Sequence, residues 1–153
     1  MDRIDKQILM ILQQDASLPV ADIARKVGLS VTPCWRRIQK LEEDGIIKGR
    51  VALLDGQKIG MSMSVFVGIK TDQHNAAWLE QFAKSISQFP EVVEFYRMSG
   101  DVDYMLRVVV PNMASYDVFY KKLIGTVKLK DVSSSFAMEE IKYTTSLPVP
   151  DEK

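Results

Sequence analysis

The chain is 153 residues long, 46% hydrophobic and 26% charged, with a formal net charge of zero. That length and apolar content suit a globular protein of one large or two small domains, and the balanced charge argues against a protein that simply coats nucleic acid. A single cysteine, Cys34, excludes an internal disulfide, and with the single histidine, His74, it is too little for a zinc cluster within one chain.

Asp2 and Asp5 have the spacing of a capping box, and Ile4, Ile8, Ile11 and Leu12 repeat at helical spacing as far as Gln14. After a loop over 15–19, Val20, Ile23, Ala24 and Val27 recur at three and four residues up to Gly28, which predicts a second, short helix. Gly28 suits the left-handed position just past a helix, and Ser30 suits the cap that opens the next one. That third helix is expected to reach about Asp44 and to end at Gly45. Ala24 is small where the third helix would cross closest, and its spacing to Gly28 is common in helix-turn-helix units. Residues 1–45 therefore read as a minimal DNA-binding domain.

At about 100° per residue, Cys34, Trp35, Ile38 and Leu41 fall on one face of the third helix, while Thr32, Arg36, Gln39 and Lys40 fall on the other. A short-residue N-terminus and a basic outer face, held across a tight turn, give the shape and chemistry of a major-groove recognition helix. The candidate DNA-binding residues are Ser30, Thr32, Arg36, Arg37, Gln39 and Lys40. The stretch alone fits an ordinary amphipathic surface helix equally well. Arg36, Arg37, Lys40, Lys48 and Arg50 face Glu42, Glu43 and Asp44, so the local positive excess is small. One copy offers few phosphate contacts, and two copies are expected to be needed. Cys34 shares the apolar face and reads as a small hydrophobe rather than a redox sensor.

From Ile46 the period changes. Ile46-Ile47 and the run over 51–54 are β-type, and 55–60 reads as turn or linker, so 46–60 is expected to be a strand-bearing hinge. Residues 61–70 alternate as a strand, and Trp78, Phe82, Ile86 and Phe89 predict a helix stopped by Pro90. Strands over 92–98 and 104–110 flank a turn at 100–103. Tyr116, Phe119, Tyr120 and Leu123 mark another helix, and 132–138 a last strand. The order βαββαβ predicts a ferredoxin-like sandwich over 61–143, hence an α+β fold class. Its bare sheet face is expected to carry Val, Phe and Met and to be buried against a second copy. The tail over 144–153, with Pro148 and Pro150, is expected to be flexible.

In the turn, Gly100 permits close backbone approach, and Asp101 and Asp103 can accept hydrogen bonds from an ammonium group while backbone N–H groups take a carboxylate. The same residues also make a plain hairpin turn. Ser133, Ser134 and Ser135 offer hydroxyls, of which alternation sends only some to either face. Met98 reads as part of the sheet.

On these residues the sequence resembles the Lrp/AsnC family of bacterial and archaeal transcription regulators, the feast/famine proteins. The carrying residues are Gly28-Leu29-Ser30, Thr32-Pro33-Cys34, Arg37, Leu41-Glu42 and Gly45-Ile46, then Gly100-Asp101-Val102-Asp103-Tyr104 and Ser134-Ser135-Phe136, spread over nearly the whole chain. The resemblance implies a winged-helix-like helix-turn-helix domain joined by the hinge to a ligand-sensing ferredoxin-like domain, in homodimers that assemble further, often to octamers. It implies a small amino-acid effector between dimers at Gly100, Asp101, Asp103 and Tyr104, with Ser134 as a further contact, and no metal or other cofactor. Two positions depart from the family pattern: residues 126–131 replace a frequent Pro-Gly turn, and Trp35 stands where an aliphatic residue is frequent.

An enzyme on this fold would have to use His74, Asp101, Asp103 or Cys34, and the sequence has no evident nucleophile–base pairing or glycine-rich phosphate loop. An architectural DNA-organising protein with little sequence preference would use the same fold. The expected function is a sequence-specific regulator acting on double-stranded DNA, not an enzyme. No apolar run approaches the ~20 residues of a membrane helix, and the opening Met1-Asp2-Arg3-Ile4 is unlike a signal peptide, so a cytoplasmic location without membrane contact is expected.

Overall fold

The computed structural model describes residues 1–73, 75–126 and 128–150. The chain forms two compact units, one of Met1–Leu53 joined by the C-terminal stretch from Lys142, the other of Leu54–Ile141.

The first unit holds α1 (Arg3–Gln14), α2 (Val20–Val27) and α3 (Val31–Glu43). The capping box is present: the Asp5 N–H donates to Asp2 Oδ1 at 2.9 Å and the Asp2 N–H to Asp5 Oδ2 at 2.8 Å. Gly28 ends α2 at φ 72°, a left-handed conformation that costs a residue with a Cβ ~1 kcal/mol. Its N–H donates to the carbonyls of Ala24 and Arg25. Ile8, Ile23, Ala24, Cys34, Ile38 and Leu41 meet in the core of this unit.

The tail differs from its sequence-based expectation. The Gln13 carboxamide accepts from the Leu147 N–H at 2.6 Å and donates to the Leu147 carbonyl at 3.1 Å. The Ser146 hydroxyl donates to the Gln13 carbonyl, and Val149 packs on the helical core. Prolines signal disorder by composition, yet Pro148 also restricts the backbone choices of Leu147, the residue that Gln13 grips.

No strand forms over 46–62 among the described residues, which corrects the expected hinge strand. Ile47 packs on the helical core instead, while Val51, Leu53 and Leu54 are exposed. β-propensity expresses fit to neighbouring strands, and this run has none in its own chain to pair with.

The second unit comprises β1 (Met63–Lys70), α4 (Ala76–Ile86), β2 (Val92–Arg97), β3 (Tyr104–Val110), α5 (Met113–Thr126) and β4 (Asp131–Phe136). The strands form one sheet in the order β2-β3-β1-β4, antiparallel throughout. This is the βαββαβ sandwich expected, with ends trimmed by a residue or two. Phe89 lies past the end of α4, its N–H bonded to the Ile86 carbonyl. Val65, Val67, Ile69, Leu106, Val108 and Val110 point to one face, where Phe82, Ile86, Tyr116, Phe119 and Leu123 cover them.

The opposite face carries the expected Val, Phe and Met types, with polar groups among them. Register and alternation place Phe66, Tyr96, Met105 and Val109 there, together with Ser133, Ser135 and the Arg107–Glu94 ion pair at 2.7 Å. The other valines of β1 and β3 occupy the alternate positions and are spent on the core.

Replacing Gln13 by Ala removes both bonds to Leu147 and is expected to lower stability by ~1 kcal/mol while speeding cleavage within 142–150 in limited proteolysis. Unchanged cleavage would show that the clip does not hold the tail.

Candidate DNA-reading helix and effector cleft

α3 begins at Ser30, whose backbone has N-cap geometry but whose hydroxyl makes no capping bond. That leaves an exposed donor and acceptor at the start of the helix. Thr32, Arg36, Gln39 and Lys40 are all exposed, as their angular positions require. Lys40 pairs with Asp44 at 3.0 Å through largely exposed side chains, a contact weak enough to yield to a phosphate. On the inner side Cys34 is fully buried, and burial pushes its thiol pKa up, as befits an inert structural cysteine.

Two residues sit elsewhere than the sequence reading placed them. Trp35 is 47% exposed rather than in the core. It lies about 100° around the helix from Cys34, at the edge of the apolar face, and Ile38 and Leu41 already fill the middle. Arg37, grouped with the DNA contacts, turns toward α1. Its Nη1 lies 2.6 Å from Asp2 Oδ2 and 2.8 Å from Asp5 Oδ1, bracketing α3 to the cap of α1. The Asp2 carboxyl is held below the usual carboxylate range, chiefly by the Asp5 N–H it accepts and next by Arg37. The Arg37 pKa is raised by Asp5 and Asp2 in turn.

In the second unit the turn at 100–103 is clamped to the end of β1. The Asp103 N–H donates to the Ile69 carbonyl at 2.9 Å, its Oδ2 accepts from the Thr71 N–H at 2.8 Å, and its carbonyl accepts from the Met98 N–H at 2.8 Å. Gly100 has φ 124°. A Cβ on Gly68 would stand 3.0 Å from Val102 Cγ1 and 2.8 Å from Ser133 Oγ, so the turn lies close against β1. Tyr104 is buried among Trp78, Phe82 and Phe95.

Beside this turn is a cleft of about 280 Å³ lined by Asn75, Ala76, Leu79, Arg97, Met98, Asp103 and Tyr104. Of the predicted effector residues it takes Asp103 and Tyr104, while Asp101 is exposed and neither it nor Gly100 lines the cleft. Ser134 is not brought to the turn. It pairs with Val67 on the helix-covered side, and its hydroxyl is bonded to that of Tyr116, whose pKa burial raises. His74 lies outside the described residues.

Sequence reasoning missed Asn75, Leu79 and Arg97 and assigned Met98 to the sheet alone. The one readable signal was Asn75, which caps α4 by accepting from the Trp78 N–H at 2.8 Å. The cleft places a cation, Arg97, and an anion, Asp103, beside the N-terminus of α4 and the apolar surfaces of Leu79 and Met98. Among the described residues no cluster of His, Cys, Asp and Glu could hold a metal ion, and no helix is long and apolar enough to cross a membrane.

A helix-turn-helix unit and a separate ferredoxin-like unit with its own cleft define the class: a DNA-binding regulator with a sensing domain. Residues 1–48 match the winged helix-turn-helix DNA-binding family, and residues 64–147 match the Lrp/AsnC ligand binding domain. The chain is 51% identical over 150 residues to the DNA-binding transcriptional activator DecR of Escherichia coli, spanning 97% of this chain and 99% of that one. The crystal structure of an AsnC family transcriptional regulator from Agrobacterium tumefaciens superposes with a TM-score of 0.94 at 64% identity, covering 97% of each chain. A transcriptional regulator of Neisseria meningitidis, solved in complex with L-methionine, gives 0.92 at 32% identity over 97% of this chain and 96% of that one. The chain belongs to the Lrp/AsnC family of transcription regulators.

The depressed Asp2 pKa means that its bonds stabilise the first unit above the ordinary carboxyl value of 3.8 and that this contribution is lost as pH falls through the lower folded value. Thermal unfolding followed from pH 6 downward is expected to show a shallower acid loss in Arg37→Ala than in the parent chain. Parallel curves would remove Arg37 from the bracket.

Proposed function

We propose that the chain reads specific double-stranded DNA sites through Ser30, Thr32, Arg36, Gln39 and Lys40, and that a small amino acid in the cleft beside Asp103 and Tyr104 sets its affinity or assembly. The observation that carries the effector half is the presence of Arg97 and Asp103 in the lining of one cleft. An amino acid presents both charges. Its carboxylate would meet Arg97 and the first N–H groups of α4, its ammonium would meet Asp103, and its side chain would lie on Leu79, Met98 and Tyr104. The L-methionine complex of the Neisseria relative supports this ligand class.

In this reading 1–45 is the DNA-binding domain, 46–60 the hinge and 61–143 the sensing and oligomerisation domain, working in the cytoplasm. A homodimer that assembles further, to an octamer, is favoured by two observations. The free cations of α3 are few, and Val51, Leu53 and Leu54 are exposed in the hinge. Gly100 and Asp101, at the exposed tip of the turn, would then face a second dimer. Ser134 has no part in the effector site, since Tyr116 engages it.

A thermal-shift screen of the full chain against the twenty amino acids tests the effector site, because a ligand at 100 times its Kd adds about 2.7 kcal/mol to native stability. A selective upward shift is expected, lost in Arg97→Ala and in Asp103→Asn, which keeps an acceptor for Thr71. A shift that survives both changes would relocate the site, and no shift with any amino acid would contradict the proposed ligand class. For DNA, Arg36→Ala is expected to weaken specific binding by ~1–3 kcal/mol, measured by titration of a selected site. Unchanged affinity would remove Arg36 from the interface.

A further inference from the structure

The exposed Trp35 has no place in the core of its own unit. The inward positions of α3 belong to Cys34, Ile38 and Leu41, which are 0%, 2% and 4% exposed, and Trp35 stands on the flank with Val31, itself 50% exposed one turn earlier. The chain's other tryptophan, Trp78, is by contrast stacked on Phe82 with ring centroids 4.8 Å apart. Val31, Thr32, Trp35, Arg36 and Gln39 recur at alternating steps of one and three residues, forming one exposed stripe along the first turns of α3. This is the part of a recognition helix whose side chains reach base edges, whereas Lys40 lies farther along and farther round the helix.

We infer that Trp35 is a specificity-determining residue of the DNA interface and that it packs on the 5-methyl group of a thymine. The inference rests on the assignment of α3 to the major groove made above. The step to thymine follows from the groove itself: among the hydrogen-bond donors and acceptors of its base edges the thymine methyl is the largest apolar group, cytosine offering only a C5–H at that position, and it is the group a large apolar ring covers best. Gln39, one turn farther along the same stripe, suits a bidentate contact to adenine. A Trp35 contact to thymine and a Gln39 contact to adenine on neighbouring pairs fit an A·T-containing half-site.

The test selects a preferred site from random DNA with the full chain, then measures affinity for that site and for random DNA with the parent chain, Trp35→Leu, Trp35→Phe and Arg36→Ala. Each probe is repeated with single thymines replaced by uracil, which removes only the methyl. For the parent chain, one uracil per half-site is expected to weaken binding about tenfold, a typical cost for one wrong contact. Trp35→Leu is expected to lose a similar factor on the thymine site, to keep its affinity for random DNA and its salt dependence, and to be insensitive to that uracil. Trp35→Phe should keep only part of the uracil effect, and this smaller change carries the assignment to Trp35 if the leucine variant folds poorly, a full uracil effect in it overturning the inference.

The inference is overturned if no uracil weakens the parent chain, or if Trp35→Leu keeps the parent's affinity and uracil response while Arg36→Ala weakens binding. It is also overturned if Trp35→Leu weakens selected and random DNA equally, which would mark a backbone contact. If neither Arg36→Ala nor Trp35→Leu changes anything, the placement of α3 in the groove fails as well, an outcome distinct from the failure of Trp35 alone.

Discussion

The left-handed turn at Gly28 is the constraint on which the DNA-reading surface depends. With φ 72°, Gly28 lets α2 stop and α3 start within a few residues, while the N–H of Leu29 returns to the Ala24 carbonyl at 2.9 Å. Ala24, 1% exposed, is small enough to let α3 come close, and Cys34, Ile38 and Leu41 then fix its rotation. Arg37 adds a second restraint, gripping the two acidic residues that cap α1. Once the rotation is set, Thr32, Arg36 and Gln39 leave the helix on its outer side. A side chain with a Cβ at Gly28 would strain the turn and so disturb every contact α3 offers.

The sensing unit has a comparable anchor in Asp103, which ties the turn to β1 through its own N–H and its carboxylate. The cleft therefore forms beside a preset turn, and a ligand engaging Asp103 touches the group that holds the turn in place. The chain passes between the two units twice, near residue 53 and near residue 142. The second passage leads from β4 to the tail segment that Gln13 clips to α1. A change at the sheet thus has two covalent routes to the DNA-binding unit, besides any change in assembly.

Much of this was legible because local chemistry and tertiary role agreed. Asp2 and Asp5 announced the first cap, Gly28 the turn, and the alternation of β1 and β3 their buried faces. The misreadings occurred where angle or composition does not name a partner. A helical wheel puts Trp35 at the border of a face and Arg37 on a flank, but whether the flank meets solvent or the cap of α1 depends on another element. The run over 51–54 has strand chemistry but no strand beside it, and the prolines of the tail gave no hint of Gln13, far away in sequence. The cleft draws Asn75 and Leu79 from α4, Arg97 from β2 and Asp103 from the turn, so no single stretch displays it. Ser134 could be sorted from Ser133 and Ser135 only once the register with Val67 was known.

The central claim, that ligand binding in one unit governs sequence-selective DNA binding by the other, is tested most directly by one titration. The full chain is titrated on its selected site and on random DNA at a fixed, near-physiological salt concentration, with and without the amino acid that raises its unfolding temperature. The account predicts a preference of roughly 10³-fold or more for the selected site, and a displacement of that curve by the amino acid. Equal affinity for both DNAs, unmoved by ligand, would contradict it and leave a protein that organises DNA without reading it.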